Sequence, residues 1–311
     1  MDRAPKISII TPSFNCARYI TRCIESVLRQ GYPAFEHLIA DNQSQDGTLD
    51  ILKRYPHLRW CSEPDRGEAD ALNKALKIAT GDVVCWLNAD DWMMDGVLSA
   101  VGAAFRSHPE RRLIYGNTFM IDEHDRLLWV KKSDPAVDLA ALARWWNCRT
   151  HPHQPSIFFK RDLMLQVGPF NELLHFSIDY EYWLRCARVC KFHHLDLPLS
   201  CALQRAECKS GGTETKQVQS HWNVLMPFLE YLSPQERVSF WEDYYTGRLS
   251  GLEGCAKFEE TRLPSSREAA EGLVRTCRKA PTEEVLSTLF PDRNRRNELG
   301  HKLRELAAAP G

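Results

Sequence analysis

The residues with the clearest chemical potential are acids placed where apolar runs stop. Cys85-Trp86-Leu87 is followed by Asn88-Ala89-Asp90-Asp91, an apolar segment that ends in two adjacent carboxylates. Such a pair repels itself unless a positive charge is near. Mg²⁺ and Mn²⁺ take oxygen ligands and usually also hold substrate phosphates, so they suit this position. Asp and Asn also favour turns and helix N-caps, and the local residues fit that reading equally well. Asp41 follows Leu38-Ile39-Ala40 in the same manner. Its carboxylate can accept hydrogen bonds from a base N–H or ribose hydroxyls, or close an Asx turn, while Asp46 before Gly47-Thr48 reads as an N-cap. Asp179 lies in Ser177-Ile178-Asp179-Tyr180-Glu181-Tyr182-Trp183, at the start of an aromatic-rich helical pattern. It can serve the helix N-terminus, or act as a base whose charged form the helix dipole favours.

The elements that must position these acids alternate in type. Ile7–Phe14 reads as a buried strand and 17–30 as a helix with apolar residues at Ile20, Ile24, Val27 and Leu28. Strands follow at 35–40, 58–61 and 82–87, with helices over 48–55 and 68–79 between them. This order predicts an α/β fold with a parallel sheet flanked by helices, and in such sheets ligands sit at the carboxyl ends of the strands. Thr11-Pro12-Ser13, Asp41 and Asn88–Asp91 all fall there. From about Arg112 the pattern changes to a hairpin (113–121 and 127–130, turning at 123–125). A strand over 156–159, helices over 161–167 and 180–189 and a strand over 192–199 follow. Beyond Ser210-Gly211-Gly212 the chain reads as helices with polar connectors. The expected division is an α/β domain over 1–212 and a helical C-terminal extension over 213–311.

Taken together, Ile7–Asn15, Ile39–Thr48, Gly81–Asp91 and Gly168–Trp183 resemble the inverting family-2 glycosyltransferases of the GT-A fold, over about residues 6–200. Ser62–Gly67 with Asp70–Lys74 is similar to bacterial members that build surface polysaccharides. The resemblance implies a GT-A domain, that is, a Rossmann-like nucleotide-sugar-binding sheet. It implies a nucleotide-diphosphate sugar donor, a divalent metal (Mn²⁺ or Mg²⁺), and transfer to a hydroxyl of a glycan or lipid-linked acceptor with inversion. It places Thr11, Pro12 and Ser13 along the nucleotide and Asp41 on its base or ribose. Asp90 matches the last acid of the Asp-x-Asp metal motif, with Asp91 able to assist. Asn88 stands where the first acid is usual. Asp179 matches the acid that serves as catalytic base, with Ile178 in place of the preceding Glu. His153 and Gln154 occupy a His-Gln segment expected on the acceptor or donor-sugar side. Arg66 is a candidate for a bidentate phosphate contact, and Trp145, Trp146 and Trp183 either stack on sugar faces or belong to the core. Ser210-Gly211-Gly212 is either a loop closing over donor or a hinge.

Composition narrows the alternatives. The 311 residues carry 40 basic and 41 acidic side chains, so no global basic excess points to nucleic acid. At 43% apolar and 26% charged, the composition is that of a globular protein able to bury a large core. Eleven cysteines lie mostly in apolar segments, with no Cys-x-x-Cys pair and no zinc-ligand spacing. No signal-peptide pattern and no apolar run of membrane-spanning length occurs, so the expectation is a cytoplasmic protein, peripheral at the inner membrane face at most. The basic residues Arg293, Arg295, Arg296, Lys302 and Arg304 alternate with Leu299, Leu303 and Leu306. That pattern suits a membrane-facing helix, a homodimer contact or packing within the chain. Pro12–Cys16 contains no glycine, which excludes a dinucleotide-binding turn. The competing reading is a catalytically degenerate module that binds a nucleotide sugar or glycan, favoured by Asn88.

Overall fold

A computed structural model describes residues 3–147, 149–205 and 214–249. The expected boundary at 212, the Ser210-Gly211-Gly212 stretch and the basic, leucine-bearing run over 293–306 lie outside those residues. By contacts the chain divides into two units, one of Met1–Leu142 with Asn147–Glu214, the other of Ala143–Trp146 with Thr215–Gly311.

The first unit is built on a nine-stranded sheet. In chain order it holds β1 (Ile7–Ser13), α1 (Ile20–Leu28), β2 (Phe35–Asp41), α2 (Thr48–Leu52), β3 (Leu58–Ser62), α3 (Glu68–Ile78) and β4 (Val83–Trp86). Then come β5 (Trp92–Met93), α4 (Val97–Ser107), β6 (Leu113–Ile121), β7 (Leu127–Lys131), α5 (Leu139–Ala143), β8 (Ile157–Lys160), α6 (Arg161–Val167), α7 (Ile178–Ala187) and β9 (Phe192–Leu203). The strand order is β3-β2-β1-β4-β8-β6-β9-β5, with β7 paired to β6. The first four strands are parallel, as βαβ crossovers require, and β8 joins β4 and β6 antiparallel. Register brings Ser13 opposite Asp41 and Asp41 opposite Ser62, so three polar side chains share one rim. The backbone continues the alignment: the Leu87 amide donates to Ile10 O (3.0 Å), Asn42 to Ser13 O (2.9 Å) and Glu63 to Asp41 O (3.0 Å).

Apolar packing holds that rim in place. Ile7 and Ile9 pack with Cys23, Val27, Val97, Val101 and Phe105 in one cluster, while Ile20, Ile24, Ile39 and Leu52 form another. Helix α7 buries Tyr180, Tyr182, Trp183 and Leu184 completely, each worth about 1.5–3 kcal/mol on burial. Trp183 packs on Phe159 (5.7 Å between ring centres), which assigns it to the core rather than to a sugar face. Gly81 has a steric reason: a Cβ there would stand 2.5 Å from Ser8 Oγ.

Several elements depart from the sequence expectations. Helix α4 follows the acidic loop with apolar residues at Val97, Leu98, Val101 and Phe105, but Ala100, Gly102, Ala103 and Ala104 dilute its pattern. β5 has only two residues, too few to show alternation. β9 runs to Leu203 because its second half pairs with both β6 and β5. Strand β7 carries four consecutive apolar residues, Leu127 to Val130, all exposed, and among the described residues pairs only with β6.

In the second unit, α8 (Glu214–Leu225) and α9 (Pro234–Leu249) follow one another through a 3₁₀ turn at Met226–Tyr231. Its core is aromatic: Trp146 lies 5.3 Å from Phe240 and Trp222 5.0 Å from Tyr244, centre to centre. Trp145 stands edge-on to Trp222, so both tryptophans at 145 and 146 serve this packing. No helix among the described residues is long and apolar enough to cross a membrane.

Candidate functional site

Asp41 ends β2 almost fully buried, and its carboxylate is the hub of the rim. Oδ1 accepts from Ser13 Oγ (3.2 Å) and from Ser44 Oγ (2.5 Å), and Oδ2 accepts from the Ser44 amide (2.9 Å) and Ser62 Oγ (2.8 Å). A carboxylate offers about four lone-pair directions, and these four donors fill them. A base N–H at Asp41 therefore has to take the place of a serine hydroxyl, which can rotate away. Thr11 is wholly buried and bonded to His37 Nε2 (2.9 Å), so its side chain faces the interior and only its backbone is near the rim. Pro12 is half-buried beside it. The loop after β1 is fastened to the loop after β2: Asn15 N donates to Ser44 Oγ, Cys16 N to Thr48 Oγ1 and Ala17 N to Asp46 Oδ2. Asp46 also accepts from Thr48 N (3.1 Å), but the N-cap of α2 is Gly47, in the left-handed region at φ 95°, so Asp46 stands one residue before the position the sequence suggested for it.

The acids after β4 part company. Asp91 is buried, and its Oδ1 accepts the amide of Leu203 at the end of β9 (3.2 Å). Burial, reinforced by the charge of Asp90, pushes its carboxyl well above the usual range. Asp90 is about a quarter exposed, and its Oδ2 accepts from Arg205 Nη2 at 3.0 Å. Asn88 is held by its own amide: Oδ1 accepts from the Trp86 indole N–H (2.6 Å), and Nδ2 donates to Gln154 Oε1 (3.2 Å). Gln154 in turn donates through Nε2 to the Trp86 carbonyl. An Asn at position 88 can both give and accept in this ring of contacts, which a carboxylate cannot.

Asp179 is the second residue of α7, after Ser177, whose φ of 61° lies in the left-handed region. Its carboxylate is half-buried and makes no hydrogen bond or ion pair among the described residues. The next residue, Tyr180, packs on His151 (5.2 Å), and the 151–154 segment carries Gln154 to Asn88. Tyr180, the residue after Asp179, and Asn88 thus contact the same short segment, at His151 and Gln154 respectively. His153 belongs to it; burial, aided by Lys131, pushes its imidazole down to about 3, so the ring is neutral. Arg66 departs from a free phosphate contact: it is exposed, pairs with Glu172, and reaches Asp70 at 3.5 Å.

Arg205 and Glu172 are absent from the sequence-level candidates. Arg205 is 115 residues from Asp90, and only the pairing of β9 with β5 and β6 brings them together. Among the described residues no three His, Cys, Asp or Glu side chains form a metal cage. The donor set suits a different kind of ion site. Asp90 offers one accessible carboxylate that already draws a cation to itself, and Mg²⁺-type sites commonly combine one or two carboxylates with substrate phosphates and water.

Comparisons with known proteins bear on the family and the fold. The family profile described as Glycosyl transferase family 2 matches residues 8–165. The Chondroitin synthase of Escherichia coli is 27% identical over 262 residues, covering 83% of this chain and 36% of that protein. The PGL/p-HBAD biosynthesis glycosyltransferase of Mycobacterium bovis BCG is 31% identical over 202 residues, covering 62% of this chain and 75% of that protein. The chain spans about a third of the chondroitin synthases it matches. Among solved structures, S. aureus TarS 1-349 in complex with UDP shares the fold with TM-score 0.62 at 18% identity, over 96% of this chain and 90% of that one. A mannosyltransferase from Pyrobaculum calidifontis in complex with GDP-Man and Mn²⁺ gives 0.53 at 18% identity, over 99% and 87%.

Proposed function

Because the chain belongs to glycosyl transferase family 2, we propose that it moves a sugar from a nucleotide-diphosphate sugar to a hydroxyl acceptor with inversion, in surface polysaccharide or glycan synthesis. The acceptor is a glycan or a lipid-linked saccharide. The observation that carries the reading is the state of Asp179: a carboxylate at a helix N-terminus, uncommitted among the described residues, one residue before Tyr180, which packs on the segment that leads to Asn88. Relatives named as chondroitin and hyaluronan synthases, and fold neighbours holding UDP, UDP-GlcNAc or GDP-Man, support the donor class.

In this reaction Asp179 takes the proton of the acceptor hydroxyl as that oxygen attacks the anomeric carbon. The bond from that carbon to the diphosphate oxygen breaks on the opposite face, so the anomer inverts. Asp90 is the residue that would hold a Mn²⁺ or Mg²⁺ ion, whose chemistry there would be positive charge facing the diphosphate. Asp91, engaged with Leu203, acts by fixing the loop rather than by ligation. The hub at Asp41 holds Ser13 and Ser62 where a nucleoside meets the rim, and His153, being neutral, offers a hydrogen bond without charge to a sugar hydroxyl.

The test is a thermal-shift screen of UDP- and GDP-sugars with Mn²⁺, followed by NMR of the product anomer made with a hydroxyl acceptor. Donor-dependent stabilisation and an inverted product are expected. Stabilisation with neither transfer nor donor hydrolysis would establish a binding module instead, and retention of the anomer would remove the direct displacement.

A further inference from the structure

The hairpin of β6 and β7 leaves apolar surface in water. Leu127, Leu128, Trp129 and Val130 are exposed by 56, 48, 42 and 37%. Ile121 and Met120, which pair with Leu127 and Trp129 on β6, are buried, so the exposure begins at β7. The pairing slips between Met120 and Ile121, and beyond that bulge Trp129 and Val130 alternate, one toward each face. Apolar surface is therefore open on both faces of the strand, and among the described residues its outer edge is unpaired. Charge around it is lopsided. The acids of the turn are engaged: Asp122 with Arg126 (2.7 Å), Glu123 with Arg18 (3.0 Å) and Asp125 with Arg22. After the strand come Lys131 and Lys132, and Lys132 is exposed and makes no ion pair among the described residues. Two contacts place the strand beside the candidate site. The Trp129 indole N–H donates to Gln204 Oε1 (3.4 Å), one residue before Arg205, which meets Asp90. Lys131 lies near enough to His153 to help keep its ring neutral.

We propose that β7 docks the protein on an anionic lipid surface, with residues 127–130 entering the boundary between headgroups and acyl chains and Lys132 lying over the lipid phosphates. A strand added to the open edge would pair the backbone but leave both apolar faces in water. A bilayer interface surrounds the strand and takes both faces at once. Tryptophan suits that depth, because its ring is apolar and its N–H is polar. Apolar side chains next to basic ones form the pattern that holds a protein at such an interface, through buried area together with attraction to anionic headgroups. Because the acids at the turn are already paired with arginines, they add little repulsion against that surface. The docking stands on the exposed strand and its charges alone. Its consequence, that the reaction site opens beside the bilayer to a saccharide carried on a lipid, rests on the glycosyl-transfer reading.

The experiment is co-sedimentation of the full chain with two kinds of vesicle, phosphatidylcholine alone and phosphatidylcholine mixed with phosphatidylglycerol. Wild type should bind the mixed vesicles about fivefold or more tightly than the neutral ones. Lys132→Gln should weaken binding to the mixed vesicles by about fivefold, the share of one basic residue at such a surface. Leu128→Ser combined with Trp129→Ser should weaken it by about tenfold or more through lost apolar burial. Both variants should melt close to wild type and keep the thermal shift induced by UDP-sugars with Mn²⁺. Wild type left in solution by the mixed vesicles overturns the docking. So does vesicle binding that neither variant weakens, because the contact then lies elsewhere in the chain. A wild-type dimer that ignores vesicles and dissociates in the double variant also overturns it, and assigns the strand to a second copy. If the double variant melts early, Lys132→Gln decides: an affinity equal to wild type overturns the docking. Vesicle binding without any donor-induced thermal shift overturns the glycosyl-transfer reading and keeps the docking; a donor-induced shift without vesicle binding overturns the docking alone.

Discussion

Asp90 and Asp91, neighbours in the chain, are both tied to the end of β9 but in different ways: Asp91 accepts the buried amide of Leu203, while Asp90 meets the guanidinium of Arg205 nearer the surface. The division resolves the problem of two adjacent acids. One sits where burial disfavours its charged form and does structural work; the other lies nearer solvent, against a guanidinium.

Asp91→Asn should therefore be mild. An amide retains an acceptor for Leu203, so stability should change by no more than about 1 kcal/mol, while Asp91→Ala orphans that amide at about 1–3 kcal/mol. Denaturant unfolding distinguishes them. Loss of Mn²⁺ binding in Asp91→Asn would return this residue to the metal.

Asp179→Asn preserves shape and removes the base. Transfer should drop by about 10²–10⁴-fold, with UDP affinity in the presence of Mn²⁺ nearly unchanged. Turnover at the wild-type rate would eliminate Asp179 from the chemistry.

Asp41→Ala should be the most damaging change at the rim. It leaves the Ser13, Ser44 and Ser62 hydroxyls and one amide without their shared acceptor, a loss of about 3 kcal/mol or more for a buried network. Asp41→Asn keeps one acceptor oxygen and should cost less. A UDP-induced thermal shift preserved in Asp41→Asn but absent in a folded Asp41→Ala is the expected pattern, and an undiminished shift in both would separate Asp41 from the nucleotide.

Acid sensitivity should begin near neutrality. Burial, with a contribution from His57, pushes His37 down to about 3. The native ring thus stays neutral while the unfolded ring gains a proton below about 6.5. Its contribution is complete above that pH and declines as pH falls toward 3, by up to about 1.4 kcal/mol per pH unit. His37→Gln, which can still bond Thr11, should flatten the fall in stability between pH 6.5 and 5 by one proton's share. An identical slope in the variant would show that other groups, such as His57 or His153, govern that range.

The parallel half of the sheet was legible in the sequence because Leu38–Ala40 and Val83–Trp86 are continuous apolar runs and Ile7–Ile10 is broken only by Ser8, each leading into a polar stretch. The helix at Val97–Ser107 was not, since alanines and a glycine blur its amphipathic stripe. At the site, acids at strand ends stood out through composition alone. Their partners did not: Arg205 and the Ser62 hydroxyl on Asp41 are recognisable only after strand order brings distant segments together. Nor does a carboxylate's residue type reveal its direction, and direction is what separates Asp90 from Asp91.

Among the described residues, the strand at Leu127–Val130 pairs along one edge and is exposed, which has a practical corollary. That open edge and its four greasy side chains form a template to which another extended chain can add, so concentrated samples should be prone to edge-to-edge association. Leu128→Lys would place a charge in that template and should lengthen the life of a concentrated stock.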